Sequence, residues 1–535
     1  MNIDQNDPRV LAAVEAFNQG DLKKEASILE PLLDEYPDDA NILQRVGAVV
    51  AQLGDVEKAK GYLNRALTIE PENNQVLSML TMIGGSTADG GIEQQGAADS
   101  QAVKAQIDSG NAHLVKGDVA AARAAFEDAL QTDPNAVGAL VNLASLCERE
   151  HRFEEAYKLA ERAVALAPNL GQANILLSRI ELRLGSPQEA VDRMYWLVTQ
   201  AGVSQYDKGI AQYLIGQALD KVGEFDNAFT VFEAANDTFH RVHAPSVATS
   251  DSVLAPDFLG QIHAFFEKED FSSWTTLEKS EEPTPVFLLG FPRSGTTLLD
   301  QILKTHSAID TLEEKENFID VRKEIVRPDG GLNSLGAMND DDINQYRKKY
   351  WAQVREHYSD DNTGKILIDK MPLNTILLGL IYRFFPNAKI IFAVRDPRDA
   401  VLSCFQQRFG INVAMFQFLK LDTAAAYYDQ VMKIGEVCRT RLPLDVHMVR
   451  YEDVVGDMQN TVTDTLSFLG LEWEDQLVDY REKARDRWIT TPSAEQVIEP
   501  LYTSSMGKWR NYERHMAPVL PVLEPWAKKF GYEPS

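Results

Sequence analysis

The sequence is poor in cysteine and histidine, short of positive charge, and without a long apolar run. Its three cysteines, Cys147, Cys404 and Cys438, are scattered over 535 residues. No two have metal-site or redox-motif spacing, so a disulfide framework is excluded as the basis of the fold. The nine histidines form no His-x-x-x-His pair and join no Cys-rich cluster, and no metal site is expected. No stretch reaches the roughly 18 apolar residues of a membrane helix. The opening MNIDQNDPRV lacks the apolar segment of a signal peptide. These absences imply no membrane partner and a reducing cytoplasm as the compartment.

Lys and Arg number 53 against 80 Asp and Glu, a formal net charge of −27. The deficit is uneven. Residues 1–280 hold 22 basic and 42 acidic residues, a net of −20, and residues 281–535 a net of −7. A field of that sign disfavours nucleic acid and anionic membrane, and no nucleic-acid partner is expected. Hydrophobic residues at 44% and charged residues at 25% exclude disorder throughout.

What is present first is a period. Gly20 and Gly54 lie 34 residues apart, as do Pro37 and Pro71, and Pro134 and Pro168. The same step joins Gly117, His151 and Gly185. Ala59, Ala122, Ala156, Ala190 and Ala228 each lie five after a turn position, and Ala66, Ala129, Ala163 and Ala235 seven further on. Glycine ends a helix, alanines let antiparallel helices approach, and proline stops the second helix. This pattern resembles the tetratricopeptide repeat (TPR). The first unit is weak, because Glu25 and Leu32 replace the small residues. The segment GGSTADGGIEQQGAADS breaks the phase and reads as a flexible linker. A solenoid of this kind presents a concave groove for a peptide or protein. Scaffolding or homodimer formation is the alternative use.

Near residue 283 the pattern changes to strands alternating with helices: PVFLLG (285–290), KILID (365–369), AKIIFAV (388–394) and VHMVRY (446–451). Alternation implies a mostly parallel sheet in an α/β layer fold. Gly290-x4-Gly295-Thr296-Thr297 has the frame of a phosphate loop at a helix N-terminus. The lysine of nucleotide kinases is replaced by Thr296, which argues against a triphosphate substrate. Arg293 supplies positive charge instead. The second element, Arg395-Asp-Pro-Arg398-Asp-Ala-Val-Leu-Ser403, follows a strand and opens a helix. Arg395 lies where open α/β sheets bind ligands, and Ser403 two helical turns on, so the pair suits a second phosphate.

Together these motifs resemble the sulfotransferase family that uses 3′-phosphoadenosine 5′-phosphosulfate (PAPS), over about 283–530. FPRSGTTLL is similar to its 5′-phosphosulfate loop and VRDPRDAVLS to its 3′-phosphate motif. Within the family the likeness is to the tyrosylprotein group. There THSAIDTLEEKENF places Glu314 at the catalytic glutamate, and DKMPLN places Lys370 at the catalytic lysine. MVRYEDVV places Tyr451 at a cofactor-contacting tyrosine. SAEQVIEP, from Ser493, resembles a late cofactor segment, and Lys508-Trp509 a terminal cofactor contact. Glu499 departs from the group, which has a basic residue there.

The resemblance implies TPR repeats over 1–83 and 103–245, a linker over 84–102, a helical connection over 246–282, and a P-loop-like α/β sulfotransferase domain over 283–535. It implies PAPS as donor and no metal. Glu314 would be the base, with Glu313 and Glu316 as competing carboxylates. Lys370 and Arg293 would stabilise the transferring group. Ser294, Gly295, Thr296 and Thr297 would hold the 5′ end, and Arg395 and Ser403 the 3′-phosphate. His306 is expected to pack or cap. The favoured acceptor is a protein or peptide hydroxyl, above all tyrosine, presented by the repeats. A glycan or small-molecule acceptor and a non-catalytic TPR adaptor are the rival readings.

Overall fold

In the computed structural model, the structure describes residues 7, 9–10, 12–13, 22–37, 39–52, 56–69, 76, 94–115, 117–200, 202–248, 252–274, 282–326, 331–358, 364–485 and 505–534. The chain divides into two compact units, Met1–Pro168 and Asn169–Ser535.

The first unit is helical, with consecutive helices packed on one another, among them Val119–Thr132, Val137–Arg149 and Phe153–Leu166. The phase alanines Ala59, Ala66, Ala122, Ala129, Ala156 and Ala163 are all fully buried. A small side chain lets two helix backbones pack closely. In the first repeat Glu25 is buried in place of a small residue, and Arg45 Nε pairs with it at 2.9 Å. The turn positions obey the period through backbone conformation: Gly117, His151 and Gly185 take φ of 77°, 59° and 84°. His151 therefore carries a left-handed conformation that glycine would adopt without steric cost. The segment read as a linker is helical in its second part, since the helix Gln94–Val115 begins inside it. Ala97, Ala98, Gln94 and Gln95 are good helix formers, and a single glycine among them does not outweigh that preference.

The second unit opens with helices Gly171–Leu184 and Pro187–Thr199, then α1 (Gln205–Lys221) and α2 (Phe225–Ala248). These continue the repeat phase, with Ala190, Ala228 and Ala235 buried. The repeat helices over 171–248 thus share one compact body with the sheet that follows.

That sheet holds β1 (Val286–Gly290), β2 (Ile309–Glu313), β3 (Ile366–Lys370), β4 (Lys389–Val394) and β5 (Asp445–Arg450) in the order β2-β3-β1-β4-β5. Every pairing is parallel. Between strands run α3 (Thr296–Leu303), α4 (Asp340–Arg355) and α5 (Pro397–Phe405). Successive β1 residues serve opposite faces: Phe287 and Leu289 join Ile390 and Phe392 on one, and Val286 and Leu288 join Ile368 and Ile391 on the other. Both faces are covered, which is why the central strands read as continuous apolar runs. Strand β2 was not anticipated from sequence. At the sheet edge it buries only two apolar residues, Ile309 and Leu312, beside the polar Thr311, and its polar residues hide the pattern.

The chain leaves β1 for β2 and β3 on one side and later crosses to β4 and β5 on the other. Ligands bind open α/β sheets at the carboxyl ends of strands at such a reversal. The ends of β1, β3 and β4 are Gly290, Lys370 and Val394.

Candidate active site

The loop after β1 approaches its neighbours closely. Gly290 has φ of 156°, and a Cβ there would lie 2.4 Å from the Ala393 carbonyl oxygen. Gly295, at φ 85°, opens α3, and a Cβ there would lie 2.5 Å from Tyr451 Cδ2. Both glycines are required by close approach of a neighbouring residue. Ser294, Thr296 and Thr297 are buried around the start of α3, and a helix N-terminus favours an anion. Sequence reasoning missed Thr375. Its hydroxyl accepts from Gly290 N at 3.1 Å and donates to Gly290 O at 2.8 Å, fixing the loop's first residue.

Two groups form around this loop. The first is Lys370, fully buried at the end of β3. Its ammonium donates to Glu314 Oε1 at 2.8 Å and to Glu313 Oε1 at 3.4 Å. Parallel register sets Glu313 opposite Lys370, and Glu314 N donates to Lys370 O at 2.8 Å. Glu314 itself holds φ of 49°, an unusual conformation for a residue with a side chain. Its side chain stays 35% exposed, whereas that of Glu313 is 13% exposed. Glu316 turns aside and pairs with Arg322 at 3.0 Å. Burial pushes the Lys370 ammonium toward its neutral form, but Asp300, then Glu314 and Glu313, outweigh that and raise its pKa. Asp300 on α3 is a second residue missed. Burial pushes its carboxyl up to about 6, against the pull of Lys370.

The second group joins the Gly290–Thr297 loop to the Arg395–Ser403 motif. Arg293, at φ 68°, donates from Nε to Ser403 Oγ at 3.0 Å. Arg395 donates to Arg293 O at 3.1 Å and to Ser505 O at 2.6 Å. Its guanidinium lies 4.8 Å from the centre of the Tyr451 ring, and Tyr451 shares a hydrogen bond of 2.9 Å with Ser505 Oγ. Arg395 Nε is buried without a hydrogen-bond partner among the described residues. A buried donor left in that state suits an anionic oxygen from a ligand.

The remaining sequence candidates are placed differently. Lys508 donates to Asp220 and Gln406, and Trp509 is buried with Arg398 over its ring at 4.3 Å. Trp509 N and Gly507 N donate to Asp399 on α5 at 2.8 and 2.6 Å. Burial pushes Asp399 up to about 6, with Arg395 pulling it down. Ser493 and Glu499 lie outside the described residues. His306 accepts from Ala308 N at its Nδ1 and sits 3.0 Å from Glu472 O at its Nε2, so it caps a turn as expected.

Asp369, one residue before Lys370, points to the opposite face. It accepts from Asn317 at 3.0 Å and from Tyr350 on α4 at 2.9 Å. Burial nevertheless pushes its carboxyl up to about 6 from 3.8. A raised carboxyl stabilises the fold fully below its unfolded value, and that stability is lost as pH rises through about 6. Asp369→Asn keeps an acceptor for both donors and removes the titration. The thermal midpoint of the variant, relative to the parent, is therefore expected to rise from pH 4 to pH 7, by the equivalent of about 2 kcal/mol. A difference independent of pH would show that Asp369 is already ionised throughout.

Residues 285–475 match the family model described as the sulfotransferase family. Residues 107–170 and 40–73 match tetratricopeptide repeat models. An uncharacterized protein of Aquifex aeolicus is 24% identical over 418 residues, covering 76% of this chain and 52% of its own length. A protein-tyrosine sulfotransferase of Drosophila melanogaster is 24% identical over 275 residues, covering 46% and 52%. The chain spans about half the length of these two curated relatives. A solved sulfotransferase domain from the curacin biosynthetic pathway is 19% identical, with 48% of this chain and all of that one covered and a TM-score of 0.33. The chain carries a helical TPR region followed by a sulfotransferase domain with a parallel five-stranded sheet.

Proposed function

We propose that this chain transfers a sulfuryl group from PAPS to a hydroxyl on a protein or peptide, with tyrosine the favoured acceptor. One observation carries the reading: a buried Lys370 held by Glu314 and Glu313 beside a phosphate loop whose Arg293 is bonded to Ser403 and Arg395. The residues fit a nucleotide with separate 5′ and 3′ anionic groups. The start of α3 offers N–H groups at one place, and Arg395 an unused buried donor at the other. PAPS supplies the sulfuryl group and a phosphate leaving group. Lys370 places positive charge where negative charge grows, at a buried position that weakens it little by hydration. Glu314 accepts the acceptor's proton, since its carboxylate is both exposed and anchored. Arg395 with Ser403 selects the 3′-phosphate.

Arg395→Ala is expected to weaken binding of the product nucleotide PAP by roughly 10- to 100-fold, the loss of hydrogen bonds to a charged group. Its preference for PAP over AMP should collapse with it. Titration calorimetry with both nucleotides measures this, and retention of the preference would place the 3′-phosphate elsewhere. The proposed function itself is tested by incubating the protein with radiolabelled PAPS and a cell lysate, with Glu314→Ala as control. Label in acid-precipitable protein that survives alkali supports tyrosine. Label only in glycan or small-molecule fractions would overturn the protein-acceptor reading.

A further inference from the structure

The segment 505–515 is tied from two sides. On one side α5 holds its backbone, through Asp399 to Gly507 N and Trp509 N, while Arg395 holds Ser505 O. On the other side the last repeat helices hold its side chains. Asp220, on α1, accepts from Lys508 Nζ at 2.7 Å and from Tyr512 OH at 2.6 Å with its two oxygens. Gln406, just beyond α5, takes a second bond from Lys508 at 3.0 Å. Asp226, opening α2, meets His515 Nε2 at 2.7 Å. The His515 ring stacks on Phe229 at 4.1 Å, and Phe229 stacks on Phe405 at 5.0 Å. Asn236 on α2 donates to the Phe405 carbonyl at 2.9 Å in a buried bond.

These contacts do more than fasten a repeat to its neighbour. The same short segment presents Ser505 to Arg395 and Tyr451, the residues proposed to meet the 3′-phosphate. A carboxylate with one oxygen on a lysine and the other on a tyrosine has its rotamer fixed, and it fixes both partners in turn. Asp220 is 19% exposed and Lys508 28%, so the pair is only partly screened.

We propose that Asp220 is a positioning residue of the donor-nucleotide site. It sets Lys508 and Tyr512, and through them the segment that closes beside Arg395. The repeat array is thereby part of the nucleotide site, and whatever displaces α1 alters donor affinity. The inference rests on the PAPS reading given above.

The test uses the full chain and PAP as the probe, with calorimetry and thermal midpoints for Asp220→Ala, Asp220→Asn, Lys508→Ala and the Asp220→Ala/Lys508→Ala double variant. Asp220→Ala is expected to bind PAP about tenfold more weakly, a coupling typical of residues in one ionic network. Asp220→Asn should fall between it and the parent, because an amide still accepts from Tyr512 but carries no charge for Lys508. In the Lys508→Ala background, Asp220→Ala should add less than about threefold. A purely structural role would produce the same loss in both backgrounds, and that result overturns the proposal. So does unchanged binding in both Asp220 variants. Tighter binding would also overturn it, by showing that Asp220 withholds Lys508 from the nucleotide. Should Asp220→Ala fail to fold, the isosteric Asp220→Asn decides. Absence of PAP binding by the unaltered chain would instead overturn the PAPS reading, so the two failures are distinguishable.

Discussion

Lys370→Met is expected to cost stability and transfer together, and a second substitution should separate the two losses. Lys370 is fully buried, with Glu314, Glu313 and Asp300 sharing its charge. Removing one partner of a buried ionic group leaves the others uncompensated, a cost of about 3–5 kcal/mol. Unfolding by denaturant should show that loss. Transfer should fall on the order of 100- to 1000-fold, as when one donor to a developing negative charge is deleted. Adding Asp300→Asn removes one stranded carboxylate and should recover part of the stability. It should recover none of the transfer, because the positive charge is still missing. Recovery of both would make Lys370 a structural counter-ion and move the proposed electrostatic role to Arg293.

Glu314→Gln should produce the opposite pattern: folding and nucleotide binding retained, transfer lost. Glutamine keeps an oxygen for the Lys370 ammonium and leaves the backbone bond from Glu314 N to Lys370 O in place. It cannot take a proton. The expected loss is on the order of 100- to 10,000-fold, the usual contribution of a positioned general base. PAP affinity should stay within about threefold, since a carboxylate beside the lysine is retained by Glu313. Glu313→Gln is the comparison. Its side chain is the more buried of the two, which suits holding Lys370 rather than meeting an acceptor. If Glu313→Gln gives the larger loss, the two carboxylates exchange roles.

Much of this site is legible in one dimension because its parts are short and local. A glycine that must admit a neighbour's backbone, such as Gly290, or a ring, such as Tyr451 against Gly295, leaves a fixed trace in the sequence. The apolar run before each loop marks a strand buried on both faces. The repeat phase is legible for the same reason: close helix packing favours a small residue at positions such as Ala122, Ala156 and Ala228, all fully buried. Strand β2 escaped because an edge strand needs few apolar residues. Thr375 and Asp300 escaped because a threonine or aspartate in a helix or turn has many ordinary uses.

The sequence by itself determined the order of parts: repeats, then a glycine-bearing loop with the frame of a phosphate loop, a candidate base, a lysine, and an arginine–serine motif. Each is a local pattern imposed by backbone geometry or by the chemistry of one residue type. Only the tertiary structure decided which of them meet. Parallel register sets Glu313 against Lys370 across 57 positions of chain, and a hydrogen bond joins Arg293 to Ser403 across 110. The tie from Asp220 to Lys508 spans 288 positions and links a repeat helix to a segment near the end of the chain. No local pattern encodes such pairs, because their partners are chosen by how helices and strands pack. A carboxylate on a repeat helix looks like solvated surface until the fold brings an ammonium to it.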